Sequence, residues 1–157
     1  MPLVKTIHGN LFALSVDPWL MTSLAFSRAS GASGPTEDDN ILTGIEARGL
    51  RLEGTQLVVL SDCTTGSGDA PRNRGVLAMR TAFRAAGAKH VISSLWETSD
   101  TFTSDFMVEF HEQVAAGMAP TQALRRAQLK SLRKGDPPGQ WATFIHTGDT
   151  SRFSEVR

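Results

Sequence analysis

Between Gln56 and Gly75 the chain reads QLVVLSDCTTGSGDAPRNRG, and this stretch constrains the fold more than any other. Leu57, Val58, Val59 and Leu60 are consecutive apolar residues with two β-branched members, the pattern of a strand covered on both faces of a parallel sheet. Cys63, Thr64, Thr65, Gly66, Ser67, Gly68 and then Pro71 cannot continue that strand and read as a loop. The strand therefore ends near Ser61, with the chain's one cysteine just beyond its carboxyl end. That edge of an open α/β sheet is where ligands bind, because the loops leaving it form a crevice held by rigid strands. A loop of small residues also frees backbone N–H groups to face a carbonyl oxygen, as acyl transfer requires.

The segments around this strand supply the rest of an α/β unit. From Gly75 to Ala86, Val76, Leu77, Met79, Ala82, Phe83 and Ala86 fall on one helical face, and Gly87 stops the helix. Val91, Ile92, Leu95 and Trp96 make the next strand, so strand, helix and strand form a right-handed βαβ unit with a parallel pair. A helix follows from Asp100 to Gly117, with Phe102, Phe106, Phe110 and Val114 four residues apart. Pro120 opens another helix running to Lys134, with Leu124, Ala127 and Leu132 expected inward. Asp136-Pro137-Pro138-Gly139 breaks the chain, and Trp141–Thr147 is the last expected strand. Upstream, Leu3–Ile7 reads as a strand ending at His8-Gly9, Trp19–Phe26 as an extended piece, and Arg28–Asp39 as a surface loop. Thr43 with Glu46 three residues on forms a capping box for a short helix over Gly44–Arg48, closed by Gly49.

Composition narrows the partners. The 157 residues make one domain able to bury roughly 70% of its unfolded surface. Sixteen basic and sixteen acidic residues cancel, which argues against nucleic acid or an anionic membrane as partner. A single cysteine forms no internal disulfide, and the chain carries neither a signal-peptide pattern nor an apolar run of membrane-spanning length. A cytoplasmic location is expected. The four histidines and one cysteine have no metal-ligand spacing, and no cofactor is expected. The loop over Gly66–Gly75 lacks the glycine spacing and lysine of a phosphate-binding loop.

A lone cysteine is most often a small buried hydrophobe. Position changes that reading for Cys63, because His8 lies at the end of a second expected strand and two strand ends on one sheet edge can meet. His8 precedes Cys63 by 55 positions, close to the spacing of about 50 found in caspases. His90, His111 and His146 fall at a strand start, in mid-helix and in the last strand, and read as structural.

The runs VVLSDCTTG, GVLAMRTAFRAAGAKHVISSLWETSD, PTQALRRAQL and WATFIHTGD together resemble the carboxyl-terminal half of a CHAT domain. This is the caspase-like peptidase family often joined to tetratricopeptide repeats. The family's Ser-Ala-Cys-x-Thr-Gly motif falls on Ser61 to Gly66, and Ile7-His8-Gly9 matches the end of its histidine motif. The resemblance spans about Leu3 to Asp149. It implies a CHAT domain over residues 1–149, truncated at its amino end, followed by a tail over 150–157.

The fold so implied is a three-layer caspase-like arrangement, a mostly parallel sheet between helices. The activity implied is that of a cysteine endopeptidase, with Cys63 as nucleophile and His8 as its base, acting on a protein substrate through a thioester. Backbone N–H groups of Gly9 and Cys63 would form the oxyanion hole. Ser61 and Asp100 would line the substrate pocket, although an acid ahead of a long helix reads equally as its amino-terminal cap. The alternative is a non-catalytic scaffold that works with a tetratricopeptide-repeat region or partner chain.

Overall fold

The structure, a computed structural model, describes residues 22–25, 41–61 and 72–151, the side chains of 25 and 72–76 excepted. The expected strand at Leu3–Ile7, the Arg28–Asp39 loop, the segment 62–71 and the end of the tail lie outside the described residues, as do His8, Gly9 and Cys63. The elements run β1 (Ser23–Ala25), β2 (Ile41–Thr43), α1 (Gly44–Gly49), β3 (Leu57–Leu60), α2 (Arg72–Ala85), β4 (His90–Ser94), α3 (Asp100–Ala115), α4 (Pro120–Lys134), α5 (Pro138–Trp141) and β5 (Phe144–Gly148). No helix among the described residues is long and apolar enough to cross a membrane.

Local chemistry explains most boundaries. Thr43 caps α1 as half of a reciprocal capping box: Glu46 N–H donates to Thr43 Oγ1 at 3.3 Å, and Thr43 N–H donates to the Glu46 carboxylate at 2.7 Å. The Thr43 N–H, and after it the Thr43 hydroxyl, donate to the Glu46 carboxylate, favour its charged form and hold it below the usual range. Pro120 opens α4, where its missing N–H costs nothing, and Gly135 closes it in the left-handed region at φ +87°. Gly87, at φ +110°, turns the chain from α2 towards β4.

β3 and β4 pair in parallel, from Leu57 opposite His90 to Leu60 opposite Ser93, as expected of a βαβ unit. β5 lies on the other side of β4 and runs antiparallel to it, with Ser94 opposite Phe144 and His90 opposite Gly148. β1 and β2 form a separate antiparallel pair. Alternation along β4 divides the core. Ile92 joins Phe106, Phe110, Ala123, Leu124, Ala127 and Phe144 beneath α3 and α4. Val91 joins Ala47, Met79, Ala82, Phe83 and Ala88 beneath α1 and α2. The architecture is thus α/β, with helices against both faces of a mixed sheet.

Several details correct the expectations. The fully buried strand is β4, whereas Leu57, Val58, Val59 and Leu60 are each half-buried, since among the described residues β3 has a neighbour on one side only. Leu95 and Trp96 follow β4 instead of belonging to it. Leu132 faces outward with 49% exposure, while Leu124 and Ala127 are buried; position 132 falls off the stripe that 124 and 127 share. The last strand begins at Phe144, because Pro138 starts the single turn of α5 where an extended start was expected.

Candidate functional site

Because β3 and β4 are parallel, their carboxyl ends lie side by side. Leu60 leads directly into Ser61 and so to the cysteine loop, and Ser94 leads into Leu95-Trp96-Glu97. A set of hydrogen bonds fixes this edge. Ser94 Oγ donates to the Leu60 carbonyl at 3.5 Å, at the limit of a useful bond, across the two strand ends. Leu95 N–H donates to the Thr143 carbonyl at 2.8 Å, and Thr143 Oγ1 donates to the Trp96 carbonyl, also at 2.8 Å. Trp96 Nε1 donates to the Gly139 carbonyl at 2.6 Å, tying the loop after β4 to α5, and the residue is 41% exposed. Both backbone and side chain of this connection are therefore held, so that a ligand at the edge meets a surface already formed.

Ser61 is exposed immediately beyond β3. Asp100 is exposed at the first residue of α3. The cap of that helix is Ser99, whose hydroxyl accepts the Phe102 N–H at 3.4 Å. The capping role considered for Asp100 thus falls one residue earlier. Its carboxylate sits in the first turn, where the helix dipole favours negative charge. Of the residues expected to carry chemistry, Ser61 and Asp100 are at this edge, both following carboxyl ends of adjacent strands; Cys63, His8 and Gly9 lie outside the described residues.

The described histidines are elsewhere. His90 begins β4 and His146 lies in β5 beside it, at the amino edge of the parallel pair, with His90 Nδ1 3.1 Å from His146 Nε2. His111 is eleven residues along α3, about 16 Å down the helix from Asp100, with Nδ1 2.7 Å from the Met107 carbonyl oxygen. Among the described residues no cluster of His, Cys, Asp or Glu is arranged to hold a metal ion.

Ser93, Ser94 and Thr143 at this edge were not singled out from the sequence. Ser93 is fully buried, and its Oγ has no hydrogen-bond partner among the described residues. The signal was present: two serines interrupt the apolar run Val91-Ile92-Ser93-Ser94-Leu95 near its carboxyl end. On α2, the helix that follows the cysteine loop, burial holds the Arg80 guanidinium below its usual range.

Comparison with known proteins gives a consistent result. The sequence model of the CHAT domain matches residues 12–149, a stretch that includes Cys63 and begins after His8 and Gly9. Tetratricopeptide repeat protein 28 of Homo sapiens is 29% identical over 122 residues, covering 76% of this chain. Its counterpart from Mus musculus is 30% identical over 116 residues, covering 73%. In each case the chain spans 5% of the relative's length.

Proposed function

This chain belongs to the CHAT domain family, and we propose on that premise that it is a caspase-like cysteine endopeptidase domain using Cys63 and His8 as its dyad. The observation that carries the reading is the parallel pairing of β3 with β4, which sets Ser61, two residues before Cys63 in sequence, just past the carboxyl end of one strand while the braced Leu95-Trp96 connection leaves the carboxyl end of its neighbour. The positions of His90, His111 and His146, away from that edge, lend support to His8 as base. A three-layer caspase-like core with a mostly parallel sheet is part of the same proposal.

The chemistry is acyl transfer. The Cys63 thiol passes its proton to His8, and the thiolate attacks the peptide carbonyl carbon. Backbone N–H groups of Gly9 and Cys63 receive the oxyanion, a kind of contact worth about 10² to 10³ in rate. Collapse breaks the C–N bond, His8 returns the proton to the leaving amine, and a thioester remains on Cys63. Water, deprotonated by His8, then hydrolyses the thioester and restores the thiol. A thiol of ordinary pKa near 8.5 is mostly protonated at neutral pH, so an assembled dyad must lower it. Ser61 and Asp100 would flank the substrate, and Trp96 is an exposed aromatic residue in the connection that follows β4.

A second reading is a scaffold that does no chemistry and serves a repeat-protein partner. It is favoured by the two relatives, both named as tetratricopeptide repeat proteins. The rate of Cys63 alkylation by iodoacetamide across pH 5 to 9, in wild type and His8→Ala, separates the two. An apparent thiol pKa well below 8.5 that returns to the ordinary value in His8→Ala supports the peptidase. An ordinary profile in both supports the scaffold. Cleavage of a dye-labelled denatured protein, if present, must vanish in Cys63→Ala.

A further inference from the structure

α3 and α4 divide the charge of the helical layer between them. α3 carries Asp100, Asp105, Glu109 and Glu112 and no lysine or arginine. α4 carries Arg125, Arg126, Lys130, Arg133 and Lys134 and no acid. The two pack side by side and antiparallel, Lys130 paired with Glu109 across the seam, so an acidic ridge runs beside a basic one. Between them on the outer surface is an open groove of about 360 Å³ whose walls include Asp105, Glu112, Lys130 and Lys134, with Asp136 just past the end of α4 accepting the Ser131 hydroxyl. Phe102, Phe106 and Ala127 contribute to its lining, and Val108 lies on its lip with 56% of its surface exposed. Among the described residues Asp105, Glu112, Arg126 and Lys134 make no salt bridge.

We propose that this face is a docking surface for a second copy of the same chain, joined about a two-fold axis that runs along the groove parallel to the helices. Charge selects both the occupant and the arrangement. A two-fold axis along the groove lays α3 of one protomer over α4 of the other, acid against base at both contacts. A two-fold axis across the groove would lay α3 on α3 and α4 on α4, opposing like charges at every turn, and is disfavoured. The register follows from the seam within one protomer. Glu109 meets Lys130 there, and each step along one helix moves oppositely along the other, so Asp105 is level with Lys134 and Glu112 with Arg126 and Ala127. Rotation about the groove axis preserves those levels, which puts Asp105 opposite the partner copy's lysine at 134 and Glu112 opposite its arginine at 126. Val108 of each copy then covers the apolar lining of the other groove. The contact is isologous and closed, so it stops at a dimer.

Sedimentation velocity over a hundredfold concentration range tests the assignment. Wild type is expected to dimerise reversibly, and raising salt from about 0.05 to 0.5 M should weaken association by about tenfold as the charges are screened. Asp105→Lys with Glu112→Lys in one variant, and Arg126→Glu with Lys134→Glu in another, should each raise the dimer dissociation constant at least tenfold. An equimolar mixture of the two should recover association near the wild-type level, since each acidic ridge again meets a basic one. Wild type that stays monomeric throughout overturns the proposal. So does a dimer indifferent to either charge reversal, or a mixture that remains monomeric. If a charge-reversed variant loses its helical circular dichroism, Val108→Gln carries the test: at an exposed position it should weaken dimerisation at least fivefold, and no effect overturns the proposal.

Discussion

His90 Nδ1 lies 3.1 Å from His146 Nε2, joining two imidazoles 56 residues apart in the chain across the pairing of β4 and β5. His146 Nδ1 is in turn 3.2 Å from Thr121 Oγ1, in the first turn of α4. One side-chain series therefore links the strand start, the last strand and the helix packed over them. Charge on either ring is costly there. Burial is the largest cause lowering the pKa of His90, with Arg84 and Lys89 adding to it and Asp149 opposing through its charge and backbone. Burial again leads for His146, followed by repulsion from His90 and Arg84, against a smaller upward pull from Asp149.

The domain should accordingly lose stability in mild acid. Both folded pKa values lie below the ordinary value near 6.5, so as pH falls the unfolded chain binds protons first. The stabilisation is fully present above about pH 7.5 and is lost as pH falls through 6.5 towards the folded values. Urea denaturation at intervals from pH 8 to 5 checks this. In His146→Gln the dependence over that window should be roughly halved, and an unchanged profile would show that the pair does not carry it.

Gly87→Ala should destabilise strongly for so small a change. The residue sits at φ +110°, and an added Cβ would lie 2.9 Å from the Glu53 backbone nitrogen. Backbone strain of this kind costs about 1–3 kcal/mol, and the neighbouring atom cannot swing aside as a side chain would. A fall of several degrees in the melting temperature is the expected reading.

Thr43→Ala removes the amino-terminal cap of α1, including both hydrogen bonds that its hydroxyl shares with Glu46. A loss of about 1 kcal/mol is expected by chemical denaturation. Thr43→Ser keeps the hydroxyl and should recover most of it, which a purely steric role of the methyl group would not allow.

Ser93→Ala is expected to leave stability unchanged or raise it, by up to about 1 kcal/mol, since it removes a buried hydroxyl that has no partner among the described residues. Phe110→Ala is the contrast. It empties a fully buried site in the cluster under α3 and α4 and should cost about 3–5 kcal/mol. Comparable losses in both variants would contradict this account of Ser93.

What the amino-acid sequence determined by itself is whatever depends on neighbours within a turn or two. The Thr43–Glu46 box, Pro120 at the start of α4, the glycine stop at Gly87, and the βαβ unit around α2 were legible because caps, fixed φ values and helical period act locally. The placement of Ser61 and Asp100 beyond carboxyl ends of strands followed from the same signals. What only the tertiary structure decided involves partners far along the chain. Half-burial of β3, the antiparallel direction of β5, the outward turn of Leu132 and the His90–His146 contact each depend on which surfaces come together. The alignment of acidic α3 beside basic α4 is of this kind as well: the residues are plain in sequence, but a surface exists only once packing on one face of the sheet sets the two helices side by side.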